Sequence, residues 1–309
     1  MKFYKKLASY FFSAKIYEMK RCLLIILFLI GCAQPPQIQE PSGFIQVKGS
    51  DTLVNAAQKL AEEFMKEYPY IFVAVTGGGS GVGIASLINK TTDIATASRR
   101  IKNKEKEIAK KWNVTPYEII IGFDGVAVIV NKKNPIKKLT IKQLHDIYTG
   151  KIKNWNQLGE YNSSIVALSR EVSSGTHIYF KERVVQLDNK KSKEEFSPNV
   201  LLLSSNQAIV EEVASNPQAI GYVGMGYLSS RVKALAIKDE GDYFLPIPQN
   251  VIEKKYPLSR PLFMYTDGEP TGIVKIFIDF VLSEKGQKQI EEVGFVPLRS
   301  RDVFQTPEN

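Results

Sequence analysis

Hydroxyl side chains and glycines recur at three points where a strand pattern ends and a helix pattern begins. The residues at these turns are, in chain order, Ser50 and Thr52, then Ser80 and Gly81, then Ser174, Gly175 and Thr176. The start of a helix leaves backbone N–H groups without internal partners and holds about half a positive charge. Glycine lets a ligand approach the backbone, and serine or threonine adds a donor at the same edge. The turns therefore favour binding of a small oxyanion.

Two arginines, Arg99 and Arg170, stand beside two of these turns. A guanidinium supplies a planar fork of donors that matches the oxygens of a phosphate group. Any one turn can also be interpreted as an ordinary helix cap, because serine and threonine are common at N-caps. Three similar turns with two neighbouring arginines favour an anion site instead.

Catalytic interpretations fit the same residues less well. Ser80 lacks the glycine pattern of a nucleophile elbow, because Val82 stands where that motif needs glycine. Of the two histidines, His145 is expected at a surface or boundary of a capped helix, whereas His177 follows Thr176 and could line the site. No stretch matches a phosphate-cradling loop, a dinucleotide fingerprint or a His/Cys metal spacing. We therefore expect no catalytic residue, no metal and no cofactor.

The elements that must position these turns alternate between strand and helix. Strand patterns cover 44–48, 71–75, 93–98, 165–168, 219–223 and 262–265. Helical patterns run over 53–68, from the glycine cluster to 89, over 104–112, 140–148, from 176 to 185, and over 206–215 and 272–282. This alternation predicts an α/β fold with largely parallel sheets.

One apolar run, 119–130, is too long for one strand of a single sheet. It suits a strand that passes from one domain to another, with Asp124 and Gly125 near the crossing. The length of 309 residues also favours two domains. We therefore expect a two-domain body.

Composition and charge exclude several classes of protein. With 44% hydrophobic and 24% charged residues, the chain is neither a disordered tail nor a collagen-like repeat. Of the formal net charge of +9, residues 1–31 hold +5, from six lysines and arginines against one glutamate. The remaining +4 is ordinary for this length, so we expect no nucleic-acid partner. The two cysteines, Cys22 and Cys32, lie near the N-terminus and provide no disulfide framework for the body.

The N-terminus has the layout of a secretory signal. A basic Met19-Lys20-Arg21 precedes an apolar run at 23–30, which is shorter than the about 20 residues that span a bilayer. Leu29-Ile30-Gly31-Cys32 resembles a bacterial lipobox, in which the cysteine carries acyl chains such as palmitate. The alternative is a signal cut elsewhere. We expect a leader over 1–31, with Met1 or Met19 as its start, and a lipidated Cys32 with a Pro- and Gln-rich tether over 32–43.

Ordered blocks along nearly the whole body resemble one family, the phosphate-binding lipoproteins of high-affinity phosphate ABC transporters. The blocks are GSDTL from Gly49, GGGSGVGI from Gly77, DIA from Asp93 with ASR from Ala97, FDGVAV from Phe123, LTIKQLHDIYTGKIKNWNQLG from Leu139, SRE from Ser169 with SGT from Ser174, AIGYVG from Ala219 and YPLSRPLF from Tyr256. The block from Leu139 is highly specific.

The resemblance implies a type II periplasmic-binding-protein fold, with two α/β domains joined by crossing strands and the ligand in the interdomain cleft. Crossings near Asp124 and Tyr256 divide the body into 44–124 plus 256–309, and 125–255. The family motifs imply that phosphate is bound by Thr52, Ser80, Ser98, Arg170, Ser174, Gly175 and Thr176, with backbone N–H groups from Asp51 and Gly81 and with Glu171 orienting Arg170.

One position departs from part of the family. Some members have an aspartate where this chain has Ser98, and that carboxylate accepts the proton of hydrogen phosphate. Such an acceptor selects against sulfate, which has no proton to donate and would face an unpaired negative charge. Asp124 is our first candidate for this acceptor and Asp51 the second; alternatively, Asp124 only braces the hinge.

The expected function is that of a non-enzymatic, monomeric receptor in the periplasm or on the cell exterior. It would be anchored to a membrane through its lipid, capture inorganic phosphate and deliver it to the transmembrane subunits of an ABC permease. Another oxyanion, such as sulfate or molybdate, is the first alternative. A secreted hydrolase that uses Ser80 or Ser174 is the second.

Overall fold

A long mixed sheet with helices packed against it forms the described part of the chain. The structure is a computed structural model that describes residues 40–298. The predicted leader, the predicted lipidation site Cys32 and most of the predicted tether lie outside the described residues, as do residues 299–309. Within residues 40–298, no helix is long and apolar enough to span a bilayer.

Strands and helices alternate along most of the described chain. The strands are β1 (Gly43–Gly49), β2 (Ile71–Thr76), β3 (Ile94–Ala97), β4 (Pro116–Asn131), β5 (Lys138–Thr140), β6 (Val166–Arg170), β7 (Leu201–Leu203), β8 (Ala219–Gly224), β9 (Val232–Ala234), β10 (Ala236–Lys238) and β11 (Ser259–Asp267). The helices are α1 (Val54–Glu67), α2 (Ser80–Ile88), α3 (Asn103–Lys111), α4 (Ile141–Tyr148), α5 (Gly175–Phe180), α6 (Asn206–Ser215), α7 (Pro248–Ile252), α8 (Gly272–Leu282) and α9 (Glu284–Glu292).

The main sheet has the strand order β2-β1-β3-β11-β4-β8-β6-β7, and β9 also pairs with β4. The pairs among β1, β2 and β3, and among β6, β7 and β8, are parallel. In contrast, β4 and β11 run antiparallel to each other and to their other partners. The predicted α/β fold is confirmed. The sheet is mixed rather than largely parallel, because each of the two central strands, β4 and β11, runs antiparallel to both of its neighbours.

β4 is a single strand of 16 residues that changes its partner halfway. As far as Gly125 it pairs with β11, and from Val126 it pairs with β8. This change of partner supports the boundary expected near Asp124. We propose that it separates a first lobe, which contains β1, β2, β3 and β11, from a second lobe, which contains β6, β7, β8 and β9. The predicted domain limits at 124–125 and 255–256 stay a prediction.

Apolar residues at helical spacing explain why α1 forms and where it packs. Leu60 and Phe64 are fully buried, and the Phe64 ring contacts Phe277 and Phe280 of α8 at centroid distances of 5.0 and 5.5 Å. Proline cannot continue a helix, and Pro69 follows closely after the end of α1. The returning chain then forms β2 beside β1. In this way α1 is fixed with its first residues at the carboxyl end of β1.

An aromatic cluster fixes α5 in the second lobe. Phe180, the last residue of α5, stacks on Tyr222 of β8 with ring centroids 3.8 Å apart, and Tyr148 of α4 packs edge-on against Phe180 at 4.8 Å. All three rings are fully buried. A π-helical turn, Lys181–Val185, continues α5 over the rest of the predicted helix. This packing fixes the position of α5, so that its first residues lie next to the first lobe.

Candidate functional site

Hydroxyl groups from the three predicted turns meet at one place between the two proposed lobes. The Oγ1 atoms of Thr52 and Thr176 lie 2.8 Å apart, although the residues are 124 positions apart in sequence. The Oγ atoms of Ser80 and Ser98 lie 3.4 Å apart, and the Ser98 N–H donates to Ser80 Oγ at 3.0 Å. All four side chains are at most 1% exposed. The structure therefore brings together the hydroxyl residues that the sequence singled out.

Each hydroxyl residue lies where a strand ends, which explains their convergence. Thr52 lies in the short turn after β1, Ser80 is the first residue of α2 after β2, and Ser98 directly follows β3. Since β1, β2 and β3 are parallel neighbours, their carboxyl ends meet at one edge of the sheet. Thr176 reaches the same edge from the second lobe, in the first turn of α5 after β6.

Gly175 joins the two hydroxyl pairs, and only glycine fits at this position. A Cβ atom on Gly175 would lie 2.2 Å from Ser80 Oγ and 2.6 Å from Ser98 Oγ. Both distances are far below van der Waals contact, and both serines belong to the first lobe. The backbone at the start of α5 therefore packs directly against the serine pair.

Arg170 is buried beside the hydroxyl residues and pairs with Asp51. Its Nη1 lies 2.9 Å from Asp51 Oδ2, and its Nη2 donates to the Ser204 carbonyl at 2.8 Å. Asn206 donates to the same Asp51 oxygen from its backbone N–H at 2.9 Å and from its side chain at 2.7 Å. Burial lowers the pKa of Arg170, and the Asp51 carboxylate opposes that shift. The Asp51 carboxylate thus pairs with Arg170, a contact that the sequence did not predict.

The expected role of Glu171 is not observed. Its side chain is exposed, its backbone N–H donates to the Leu203 carbonyl, and none of the described contacts joins it to Arg170. Asp51 occupies that position from the other lobe. Glu171 is adjacent to Arg170 in sequence, but Arg170 lies at the end of β6, and its guanidinium contacts Asp51 of the first lobe instead.

Asp124 and Arg260 form a buried ion pair next to Thr176. Arg260 donates to Asp124 Oδ2 from Nε at 3.0 Å and from Nη2 at 2.7 Å, and the Met225 N–H donates to Asp124 Oδ1 at 2.9 Å. Arg260 also donates to Thr176 Oγ1 at 2.9 Å and to the Ser98 carbonyl at 2.9 Å. Sequence reasoning did not single out Arg260. Its position in the block YPLSRPLF, opposite Asp124 across two crossing strands, was the available signal.

Gly81 does not present a free N–H to the site, so that expectation is wrong in this structure. Its N–H donates to the Ser173 carbonyl at 3.0 Å, and the Ser173 hydroxyl donates to the Gly78 carbonyl at 3.3 Å. Gly79 has a φ of 100°, and a Cβ there would lie 2.7 Å from the Ser173 oxygen. These contacts close the glycine turn of the first lobe onto the loop before α5.

Two further residues near the turns have structural partners. Ser174 is the N-cap of α5, and its hydroxyl accepts from the N–H groups of Thr176 at 3.2 Å and His177 at 3.4 Å. Arg99 pairs with both oxygens of Glu105, at 2.8 and 2.7 Å. The Ser174 side chain therefore caps α5, and the Arg99 guanidinium is already paired with the Glu105 carboxylate.

Neither histidine ring contacts Ser80 or Ser174, the two candidate nucleophiles, among the described contacts. His177 Nδ1 lies 3.1 Å from Ser169 Oγ, whose other partners are the Tyr222 hydroxyl at 2.5 Å and the Arg170 carbonyl at 3.3 Å. His145 is buried rather than at a surface, and its Nδ1 lies 3.0 Å from the Val185 carbonyl. Burial lowers the pKa of His177. Ser80 and Ser174 therefore have no imidazole base among the described contacts.

Two features bear on metals and larger ligands. Within residues 40–298, no cluster of three or more His, Cys, Asp or Glu side chains is arranged to hold a metal ion. A groove of about 1000 Å³ is lined by Arg260 together with Phe123, Tyr256 and Ile278. Thr52, Ser80, Ser98 and Thr176 do not line it, so the groove is separate from these hydroxyl residues.

Comparisons with known proteins identify the family of this chain. The model of the PBP superfamily domain matches residues 34–285. The phosphate-binding protein PstS of Pseudomonas aeruginosa is 31% identical, over 92% of this chain and 96% of the relative. PstS of Staphylococcus saprophyticus is 34% identical, over 84% of this chain and 82% of the relative.

Solved structures give the same result. A candidate phosphate ABC transporter substrate-binding protein from Clostridium perfringens, crystallised with bound phosphate, has a TM-score of 0.75 and 33% identity. The similarity covers 83% of this chain and 100% of that one. An ABC-type phosphate transport receptor from Vibrio cholerae has a TM-score of 0.67 and 33% identity over 82% and 100% of the two chains. On both sequence and structure, this chain belongs to the PBP superfamily, in the family of phosphate-binding substrate-binding proteins of ABC transporters.

Proposed function

We propose that this chain binds inorganic phosphate between its lobes and delivers it to an ABC permease. The observation that carries the proposal is the meeting of the hydroxyls of Thr52, Ser80, Ser98 and Thr176 beside a buried arginine. Four neutral donors from separate turns and one cation suit a small tetrahedral anion. Membership of a family of substrate-binding proteins supports a receptor role rather than an enzymatic one.

Arg170 supplies a second argument for an anion at this place. Its Nη1 is buried and makes no hydrogen bond, although Asp51 Oδ2 lies 2.9 Å away. The pair therefore has the distance of an ion pair without the alignment of a hydrogen bond. A buried donor without a hydrogen-bond partner is costly, by roughly 1–3 kcal/mol. A phosphate oxygen would satisfy it.

The residues that we propose to bind phosphate are those expected from the sequence, except for Gly81. The donors are Asp51, Thr52, Ser80, Ser98, Arg170, Ser174, Gly175 and Thr176, of which Asp51 and Gly175 contribute backbone N–H groups. Gly81 is removed because Ser173 accepts its N–H. Hydrogen bonds to a charged group contribute roughly 1.5–3 kcal/mol each, so about eight exceed the about 8 kcal/mol of micromolar binding. The excess offsets dehydration of the anion and closure of the lobes.

Asp124 remains our candidate for the group that accepts the proton of hydrogen phosphate. It is fully buried, and one of its oxygens accepts twice from Arg260 while the other accepts once from the backbone. The second oxygen therefore keeps acceptor capacity. If Asp124 only braces the crossing strands, Asp124→Asn will leave the preference for phosphate over sulfate unchanged. If it accepts the proton, that preference will fall.

Calorimetric titration of the purified chain, stripped of bound anion, tests the proposed ligand. We expect saturable heat from phosphate and far weaker binding of sulfate and molybdate. Thr52→Val should weaken phosphate binding by about 10- to 100-fold, because one hydrogen bond to a charged ligand is lost. Thr91→Val, at an exposed threonine, is the matched control. Heat from sulfate alone would show that the ligand has been misassigned.

We further propose that Cys32 is lipidated and that a tether over residues 33–42 holds a monomeric receptor outside the cytoplasmic membrane. The lipobox and the preceding basic and apolar segments support the proposal. The first described strand begins at Gly43, so the tether is 1 residue shorter than predicted. In cells fed labelled palmitate, the wild-type chain should carry label and Cys32→Ala should not, whereas Cys22→Ala should retain it.

A further inference from the structure

Arg260 connects three segments that the anion site needs in register. Its guanidinium donates to the Ser98 carbonyl at the end of β3, to Asp124 in β4 and to Thr176 Oγ1 in α5. The residue is 3% exposed, and its guanidinium carbon lies 5.4 Å from the centre of the Tyr179 ring. A side chain so fully enclosed and so fully bonded has one available orientation.

The direction of the hydrogen bonds around the threonine pair follows from which groups can only donate. Arg260 Nη2 donates to Thr176 Oγ1 at 2.9 Å, and Asn206 Nδ2 lies 3.5 Å from Thr52 Oγ1 as a weak second donor. Neither a guanidinium nor an amide NH₂ can accept. The two hydroxyls share one hydrogen across their 2.8 Å contact, so the other hydroxyl hydrogen is free to point elsewhere. Whichever threonine keeps this free hydrogen, the pair can donate one hydrogen bond to a ligand.

We propose that Arg260 is a positioning residue for the anion site, which holds the Thr52 and Thr176 hydroxyl pair so that its one free hydrogen is donated to the ligand. The inference rests on the proposed function and deepens it. Without Arg260, Thr176 Oγ1 would have a free lone pair that could face the anion, and lone-pair repulsion would replace a hydrogen bond. Arg260 acts on the ligand through Thr176 and Asp124, without touching the ligand itself.

The same guanidinium makes the buried Asp124 carboxylate compatible with an anion nearby. Asp124 is fully buried, and its ion pair with Arg260 cancels its charge locally. The Arg170 and Asp51 pair cancels in the same way on the other side of the hydroxyl residues. These four charged side chains therefore carry no net charge, and the ligand meets hydroxyl and N–H dipoles together with the unbonded Nη1 of Arg170. An unpaired carboxylate at Asp124 would repel it.

Arginine is required because one side chain must bond in three directions. Lysine carries a point charge on a single nitrogen, and it cannot hold Asp124, the Ser98 carbonyl and Thr176 in a fixed planar arrangement. We therefore expect Arg260→Lys to fold and to weaken phosphate binding at least tenfold. Arg231→Lys is the matched control, because Arg231 also pairs with a carboxylate, Glu211, but lies exposed on the surface. Its phosphate affinity should stay within twofold of wild type.

A double-mutant cycle separates positioning from structural support. Phosphate affinity is measured by calorimetry for wild type, Arg260→Lys, Thr176→Val and the double variant, and unfolding is measured without phosphate. If Arg260 acts through Thr176, the double variant binds phosphate at most about threefold more weakly than Thr176→Val alone. If Arg260 only holds β11 to β4, the fold-changes in affinity multiply, and that result overturns the inference.

The remaining outcomes are also decisive. Unchanged affinity in Arg260→Lys overturns the inference while leaving phosphate binding intact. A wild-type chain that binds no phosphate overturns the proposed function, and the inference with it. If Arg260→Lys fails to fold, Asp124→Asn is compared with Asp124→Asn/Arg260→Gln, which removes both charges of the pair. We expect the double variant to bind phosphate at least fivefold more weakly than Asp124→Asn, and equal affinity would overturn the inference.

Discussion

At the scale of single residues, Gly175 shows how the absence of a side chain shapes the site. The Ser80 and Ser98 hydroxyls occupy the space that a Cβ would need. We expect Gly175→Ala to weaken phosphate binding by about 10- to 100-fold, because overpacking costs roughly 1–3 kcal/mol and here opposes lobe closure. Titration calorimetry measures the effect. Gly77→Ala is the control, since its Cβ would meet only Val54 at an ordinary 3.8 Å. Equal affinities in the two variants would contradict this account.

His177 makes stability depend on pH. Burial lowers its pKa from 6.5, so below about pH 6.5 the unfolded chain binds a proton that the folded chain does not. Stability should therefore fall as the pH drops below 6.5, until the lower pKa of the folded state is reached. The slope from one group is at most about 1.4 kcal/mol per pH unit. Urea unfolding at pH 5, 6 and 7 should show a flatter dependence for His177→Gln than for wild type. Parallel curves would refute the assignment to His177.

Residue types and spacing predicted the hydroxyl donors of the site, but not how the charged groups pair. Thr52, Ser80 and Thr176 could be found because strand ends and helix starts are visible in sequence. The partner of Arg170 could not be found, because Asp51 lies more than 100 residues away in the other lobe and only the fold brings the two together. The family resemblance implied that Glu171 orients Arg170, but the described contacts join Arg170 to Asp51 instead. Arg260 was missed because its partners Asp124 and Thr176 are also distant from it in sequence.

At the scale of elements, a capping box begins α4, the helix that the sequence pattern over 140–148 predicts. Thr140 Oγ1 accepts from the Gln143 N–H at 3.0 Å, and Gln143 Oε1 accepts from the Thr140 N–H at 2.8 Å. We expect Thr140→Ala to lower the free energy of unfolding by about 1 kcal/mol, the usual effect of losing an N-cap. Chemical denaturation measures it. Phosphate affinity should not change, because α4 makes no described contact with the hydroxyl residues; a large loss of affinity would contradict this separation.

Elements with strong periodicity were predicted closely, and short elements were missed. The limits of α6 and α8 agree with the sequence patterns, whereas β5, β7, β9 and β10, of three residues each, carry no pattern of their own. These strands form because a neighbouring strand offers backbone partners, as β5 and β10 do for each other. α9 was missed because its mostly polar sequence gives a weak apolar pattern, and Ile290 is its one large buried aliphatic side chain.

At the scale of the whole molecule, the contacts between lobes predict movement upon binding. Thr52 with Thr176, Gly175 with the serine pair, and Gly81 with Ser173 all join the two proposed lobes. These contacts, like those of Asp51 with Arg170 and Asn206, are polar, so we expect the unliganded chain to open. Small-angle X-ray scattering should show a smaller radius of gyration when phosphate is added to the stripped protein. Gly175→Ala should change less at the same phosphate concentration. Scattering curves that are identical with and without phosphate would contradict closure.

The continuous course of β4 limits what that opening can be. β4 passes from one proposed lobe to the other without a break, and through the crossing it is paired with β11. A pair of hydrogen-bonded strands can bend and twist, but the two strands cannot slide past each other without breaking the hydrogen bonds that set their register. Opening should therefore separate the facing edges of the two proposed lobes about a fixed axis. A transporter that docks on both edges would then detect ligand as a change in the distance between them, because their relative alignment stays the same.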